Sequence, residues 1–420
     1  MENLTVRDAI LFGLVTRGTT VDEAERSLDE LSRLLDTAGG AVFARVLQAK
    51  DSPDPRTLLG KGKVREIREL AEANGITLAV FDGELSPAQI RNLEDDLGGT
   101  VEVIDRSMLI LDIFALHATS GEGKLQVELA QLRYTAPRLV GHGGELSRLG
   151  GGIGTRGPGE TKLEIDRRRM KERIASLDRQ LSEMEHNRRI MRASRDASGM
   201  IRLALVGYTN AGKSTLLNYL TGAGVLSEDK LFATLDPTTR RLSLPMGETV
   251  LLTDTVGFIR KLPHHLVKAF RSTLEEAAHA DILLIVANAA DPECQEQLEA
   301  TEKTLSDLGA AGKPTVYVMN QCDRLAEFSG GFSREGRRIY LSAKTGEGVE
   351  LLLSEIESVI SEMKREVTLL IPYDEQGHLS ALYSGATVKS VDYEEGGIRV
   401  RAVLDAKQYG RLSRYEIGVE

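Results

Sequence analysis

Apolar runs of strand length alternate with amphipathic stretches of helix length through the first quarter of the chain. The runs at 8–15, 41–47, 76–81 and 101–104 predict strands, and 21–36, 63–74 and 87–97 carry the spacing of helices with one buried face. Thr20 and Ser86 stand where N-caps belong, since their hydroxyls can accept from the N–H groups a helix start leaves over; Gly75 and Gly98 stand where helices stop. Strand and helix in alternation predict an open α/β layer over 1–110.

From 108 to 135 the pattern turns helical, with Leu125, Leu129 and Leu132 on one stripe. A second helix should begin near Thr161. In it Leu163, Met170, Leu177, Met184 and Met191 recur every seven residues, and Ile174 and Leu181 fill the other seam position. Two antiparallel helices would bury these stripes on each other, giving a hairpin over 111–199. Its joining segment, 137–160, includes Gly150, Gly151, Gly152 and Gly154 among many glycines, so the tip should be mobile when free. Alternation returns over 200–364, and 365–420 reads as strand, helix (375–383) and two strands joined at Glu394, Glu395, Gly396 and Gly397.

At 420 residues the chain exceeds one core, which suits this division into several domains. No apolar stretch reaches bilayer length, and the start lacks a basic leader followed by an apolar run, so a chain without membrane span, not secreted, is expected. Cys294 and Cys322 belong to no metal-ligand cluster and fit a reducing cytoplasm. The net charge of −10 argues against a polyanionic partner, yet Arg133 to Arg173 holds ten Lys/Arg against five Asp/Glu. One basic segment sits in an acidic chain.

The segment Gly207, Tyr208, Thr209, Asn210, Ala211, Gly212, Lys213 and Ser214 fits GxxxxGK[ST] between an apolar run and a helical pattern that Thr215 enters. Its glycines let backbone N–H groups turn toward one anion; Lys213 would supply a charge for β and γ phosphates, and Ser214 a hydroxyl for Mg²⁺. Asp254, Thr255, Val256 and Gly257 follow a second run, where Asp254 can hold the metal through water and the Gly257 N–H can bond a γ-phosphate. Asn320, Gln321, Cys322 and Asp323 follow a third. There Asp323 can accept from the ring N–H and exocyclic amine of guanine, a donor pair adenine lacks. Ser342, Ala343 and Lys344 follow a fourth, where the Ala343 N–H can reach guanine O6. A site built on such bonds rejects the wrong base by about 10⁴ to 10⁵. Phe232, Ala233, Thr234, Leu235 and Asp236 open a polar stretch suited to a nucleotide-sensing switch. A threonine there, Thr234 before Thr238, can ligate Mg²⁺ only while the γ-phosphate is present.

The whole chain resembles the HflX family of GTPases. The resemblance runs through Leu59 to Val64, Leu85 to Glu94, Gly123 to Leu132, the loop Gly151 to Glu160, Phe232 to Arg240 and Asp254 to Ile259. It implies an α/β protein: a P-loop GTPase domain (200–364), an N-terminal α/β domain (1–110), a helical hairpin (111–199) and a small C-terminal α+β domain (365–420). It also implies a cytoplasmic, Mg²⁺-dependent GTP hydrolase, a monomer binding GTP and GDP. Its partner would be the large (50S) ribosomal subunit and its rRNA, reached by the hairpin tip and N-terminal domain, with no DNA partner; stalled or stressed ribosomes would be split. Lys213, Ser214, Thr234 and Gly257 would serve catalysis, with Ser214 and Thr234 on the metal. Two other readings stay open: a nucleotide-gated ribosome- or RNA-binding module with negligible turnover, and an RNA-associated ATPase using the N-terminal domain, where Gly60, Lys61, Gly62 and Lys63 open a helix. Two departures from the usual GTPase pattern matter. Gln321 replaces the lysine of the base-reading tetrapeptide, and Phe258 stands where many GTPases use glutamine to orient water, so intrinsic hydrolysis should be slow.

Overall fold

The computed structural model describes residues 7–138, 162–197, 200–222, 231–232, 237–261, 276–325, 332–404 and 406–417, and three sheets organise them. β1 (Asp8–Val15), β2 (Ala41–Ala49), β3 (Leu78–Phe81) and β4 (Glu102–Asp105) pair in the order β2-β1-β3-β4, every neighbour parallel. Side chains alternate along a strand, so Ala9, Leu11, Leu78 and Val80 enter one core while Ile10, Phe12, Ala79 and Phe81 enter another. α1 (Val21–Thr37) and α4 (Arg106–His117) cover the first face, α2 (Lys61–Asn74) and α3 (Pro87–Asp96) the second. α1 and α3 begin on capping boxes: Thr20 Oγ1 accepts from the Glu23 N–H while the Glu23 carboxylate accepts from the Thr20 N–H, and Ser86 and Gln89 repeat the exchange. Such a cap stabilises by about 1 kcal/mol.

The helical stretch expected over 108–135 is two helices. α4 ends at His117, Ala118 is extended, and α5 (Gly121–Thr135) restarts on Ser120, whose Oγ accepts from the Gly123 N–H. A serine that caps competes with one that continues a helix. α5 buries Val127, Ala130 and Tyr134 in the first core and packs along α6 (Lys162–Ala197). In the seam of α6, Leu177 is fully buried, Met170, Ile174 and Leu181 are half-buried and Met184 is exposed. Arg133 bonds Asp178 and Arg173 bonds Glu128 across the pair, each at 2.7 Å, with Arg188 on Glu122 beyond them. Most of the hairpin tip, from 139 to 161, lies outside the described residues.

The second sheet takes β5 (Arg202–Gly207), β6 (Thr238–Ser243), β7 (Thr249–Asp254), β8 (Ile282–Asn288), β9 (Thr315–Asn320), β10 (Arg334–Glu335) and β11 (Arg338–Tyr340) in the order β10-β11-β9-β8-β5-β7-β6. Only the edge pairs β6–β7 and β10–β11 are antiparallel, so β11, β9, β8, β5 and β7 end at one edge. In such sheets ligands bind beyond the carboxyl ends of the strands.

β12 (Arg365–Ile371), β13 (Thr387–Glu394), β14 (Gly397–Leu404) and β15 (Glu416–Ile417) form the third, antiparallel sheet, with the helix Gly377–Gly385 packed on it. A helix at Ala406–Leu412 and β15 were not in the sequence expectation; both are shorter than the windows in which periodicity shows.

Candidate nucleotide site

The phosphate loop leaves β5 and enters α7 (Lys213–Thr221). Gly212, at φ 90°, needs glycine twice over: its backbone is left-handed, and a Cβ would meet Asn320 Nδ2 at 2.3 Å. The first turn of α7 aims N–H groups at the loop, the arrangement that binds anions. Lys213 folds back over that loop, its Nζ donating to the Tyr208 carbonyl at 2.8 Å and the Gly207 carbonyl at 3.1 Å. Burial pulls its pKa down to about 8, and the Asp254 carboxylate works in the opposite direction. Thr215 follows in the same first turn.

Ser214 Oγ donates to Asp254 Oδ2 at 2.7 Å, joining the first turn of α7 to the end of β7. Two hard oxygens this close suit Mg²⁺, which prefers one or two protein oxygens completed by water and phosphate. Among the described residues no group of three or more His, Cys, Asp or Glu could hold a metal ion. Beyond Asp254, Thr255 Oγ1 donates to the Leu205 carbonyl at 2.7 Å and Val256 enters the first core; both are packing positions. Gly257 lies against the phosphate loop, where a Cβ would meet Thr209 Cγ2 at 2.7 Å and Lys213 Nζ at 3.0 Å. The next residue is bonded to the loop by its backbone: Phe258 N–H donates to the Gly207 carbonyl at 3.0 Å, and its carbonyl accepts from the Thr209 N–H at 2.7 Å. Its ring is buried beside Tyr208, so no side chain at this position reaches an attacking water.

The base-reading elements meet at the ends of β9 and β11. Asp323 is exposed, and its Oδ1 accepts from Ser342 Oγ at 2.7 Å. Asn320 Nδ2 donates to the Ala211 carbonyl at 2.8 Å. The Ala343 N–H, which the sequence aimed at guanine O6, donates instead to Asn320 Oδ1 at 2.9 Å. The reason is that a buried amide needs partners at both ends. Cys322 is turned inward, its Sγ on the Met319 carbonyl, and Lys344 is exposed. Gln321 Nε2 reaches the Asn210 carbonyl, a contact the sequence did not reveal.

Of the switch residues, Ala233, Thr234, Leu235 and Asp236 lie outside the described residues. Phe232 departs from expectation: its ring stands edge-on to Phe114 at 4.7 Å in the first core, so its side chain packs against the N-terminal domain rather than a nucleotide. The Leu231 N–H beside it donates to Thr37 Oγ1 at 3.3 Å. The other flank is anchored too. Lys261 Nζ bonds Asp82 Oδ2 at 2.7 Å, and the Arg260 N–H donates to Glu30 Oε1 at 3.3 Å. Between those carboxylates Arg106 is buried, bonding Asp82 at 2.8 Å and Glu30 at 2.7 Å. Burial alone would raise Asp82, and Arg106 with Lys261 outweighs it, so its pKa lies below the ordinary value. Burial, with Glu30 adding, raises the Tyr208 phenol. Sequence reasoning missed this cluster; its one signal is an arginine directly after the apolar strand β4. Elsewhere, the Gly60 N–H is taken by Gln48 Oε1 at 2.7 Å and Lys63 pairs with Glu66, so two members of the glycine-lysine run have partners nearby.

Four loops converging on one edge of a parallel sheet, with a lysine in the first and an aspartate held by serine between the third and fourth, define a P-loop domain of the GTPase class. Residues 25–115, 117–195, 202–321 and 333–419 match the families described as GTP-binding GTPase N-terminal, GTP-binding GTPase Middle Region, 50S ribosome-binding GTPase and HflX C-terminal domain. The GTPase HflX of Lacrimispora saccharolytica is 47% identical over 97% of this chain and 96% of its own length, and that of Escherichia coli 43% identical over 94% of each. The chain belongs to the HflX family of GTPases. Among solved structures, a GTP-binding protein from Sulfolobus solfataricus in complex with GDP is similar at 25% identity and a TM-score of 0.44, covering 85% of this chain and 99% of that one. No helix among the described residues is long and apolar enough to cross a membrane.

Proposed function

We propose that the loops on this edge bind GTP and hydrolyse it to GDP and phosphate, and that the chain does so on the large ribosomal subunit. One observation supports the chemistry above the rest: Lys213, the Ser214–Asp254 pair and the Asp323–Ser342 pair stand together beyond parallel strands. In this reading the amides from Asn210 to Thr215 cradle the phosphates, and Lys213 moves its donors from loop carbonyls to β and γ oxygens. Asp323, held by Ser342, accepts from the guanine edge. Ser214 and Thr234 would hold Mg²⁺, which would supply positive charge to the phosphates when bound. Water adds to the γ-phosphorus as the bond to the β-phosphate oxygen breaks, giving GDP, inorganic phosphate and a proton. The Gly257 N–H stabilises the transferring group. Because the Phe258 ring is buried, water must be positioned by backbone groups or by the partner, so turnover by the chain alone is slow.

The ribosomal partner is supported by the description of the family matched over 202–321 and by the basic hairpin segment, whose cations suit an rRNA phosphate surface. We assign to the cycle the separation of stalled ribosomes into subunits under stress, in the cytoplasm. The test is GTP turnover with and without large subunits, with sedimentation in GTP, GDP and no nucleotide. Many-fold stimulation and GTP-dependent co-sedimentation are expected, and both should vanish in Lys213→Ala. Unchanged GTP affinity in that variant would refute the phosphate assignment, and turnover indifferent to subunits would refute the partner.

A further inference from the structure

Gln321 and Asn210 both adopt left-handed backbone, at φ 64° and 60°, ordinary for an asparagine but uncommon for a glutamine. They face each other: Gln321 Nε2 donates to the Asn210 carbonyl at 2.9 Å. One residue earlier in the turn and one later in the loop, Asn320 Nδ2 holds the Ala211 carbonyl. Consecutive amides of the turn after β9 therefore grip consecutive carbonyls of the phosphate loop. An amide can point either way round, and a second contact fixes this one. Arg324 Nη1 donates to Gln321 Oε1 at 2.8 Å. Arginine has donors only, so it requires the amide oxygen on its own side and leaves the NH₂ for Asn210. The reverse orientation would set donor against donor and carbonyl against carbonyl.

We propose that Gln321 is a positioning residue for guanine-nucleotide binding: its amide, oriented by Arg324, clips the base-reading turn to the phosphate loop. The proposal rests on the roles given above to Asp323 and Lys213. A lysine at this place could donate to the same carbonyl unaided, but it would stand beside the Arg324 guanidinium and set two cations together. Glutamine passes a donor-to-acceptor chain from Arg324 to Asn210 with one charge instead of two. The clip fixes the distance between the purine end and the phosphate end of the pocket while its amide touches neither ligand group by these bonds. It governs how long any purine nucleotide with the right tail stays, and leaves the choice of base to Asp323.

Release of fluorescent GDP and GTP analogues from the full chain tests this, with thermal melting to confirm that each variant is folded. Gln321→Glu keeps an acceptor for Arg324 but offers the Asn210 carbonyl only oxygen, and should release both nucleotides about tenfold faster with the preference for GTP over XTP unchanged. Gln321→Lys should release faster with Arg324 in place and recover native retention when combined with Arg324→Gln, a rescue that a merely structural role would not produce. Native release rates in Gln321→Glu, or native retention in Gln321→Lys with Arg324 present, would overturn the clip and leave the base reading intact. Asp323→Asn examined in parallel separates the two: a failure to shift its preference toward XTP would overturn the base reading while the release rates still judge the clip.

Discussion

Asp112 is a carboxylate placed where burial works against its charge. It sits in α4 and is pushed up to about 6 by burial, against the pull of Gln131, whose Nε2 donates to its Oδ1 at 3.2 Å. An unfolded aspartate loses its proton near about 3.9, so between there and about 6 the native state binds more protons and stability falls as pH rises. Asp112→Asn keeps an acceptor for Gln131 and removes the charge. It should raise the melting temperature more at pH 7.5 than at pH 5, measured by circular dichroism; an equal shift at both would contradict the assignment. At this scale Lys213, Ser214, Asp254 and Asp323 were legible as candidates because their motifs follow apolar runs in a fixed order. The sequence misdirected Ala343 and Phe232, since the partners that claim them, Asn320 and Phe114, arrive through tertiary packing.

Among the elements, the hairpin helices separate what packing contributes from what surface charge does. Leu177 is wholly buried where α6 meets α5, and Leu177→Ala should cost about 2 to 5 kcal/mol in a urea titration. Arg133→Ala removes an ion pair whose members are about half exposed and should leave the same curve almost unmoved. Comparable losses in both would mean that the seam is held by charge. The seven-residue stripe made this packing legible, because burial imposes the period. The break at Ala118 was signalled by the polar, glycine-containing stretch from Thr119 to Lys124 that the helical reading of 108–135 passed over, and the Ser120 hydroxyl sets where the helix restarts.

Across the whole molecule, the arginine buried between Glu30 and Asp82 connects elements that sequence patterns cannot connect. Its partner Glu30 is 76 residues away, and Asp82 reaches 179 residues on to Lys261. Arg106→Met would leave two carboxylates facing each other in a closed space and should cost about 3 to 5 kcal/mol. Lys261→Met, at a side chain 51% exposed, should cost far less. Chemical denaturation of both variants checks the ranking, and equal losses would place the weight on Lys261 instead. Periodicity located each sheet, but it carries no information on which surfaces of separate layers meet.

The interior shared by the first two layers changes what it means to divide this chain. Leu231, Phe232, Val256 and Ile259 come from the nucleotide-binding half, yet they are sheltered among leucines of α1 and α4. The segments that flank the nucleotide loops are thus ballasted by a neighbour: to shift them is to wet hydrocarbon in another layer, and to hold that layer still is to steady the loops.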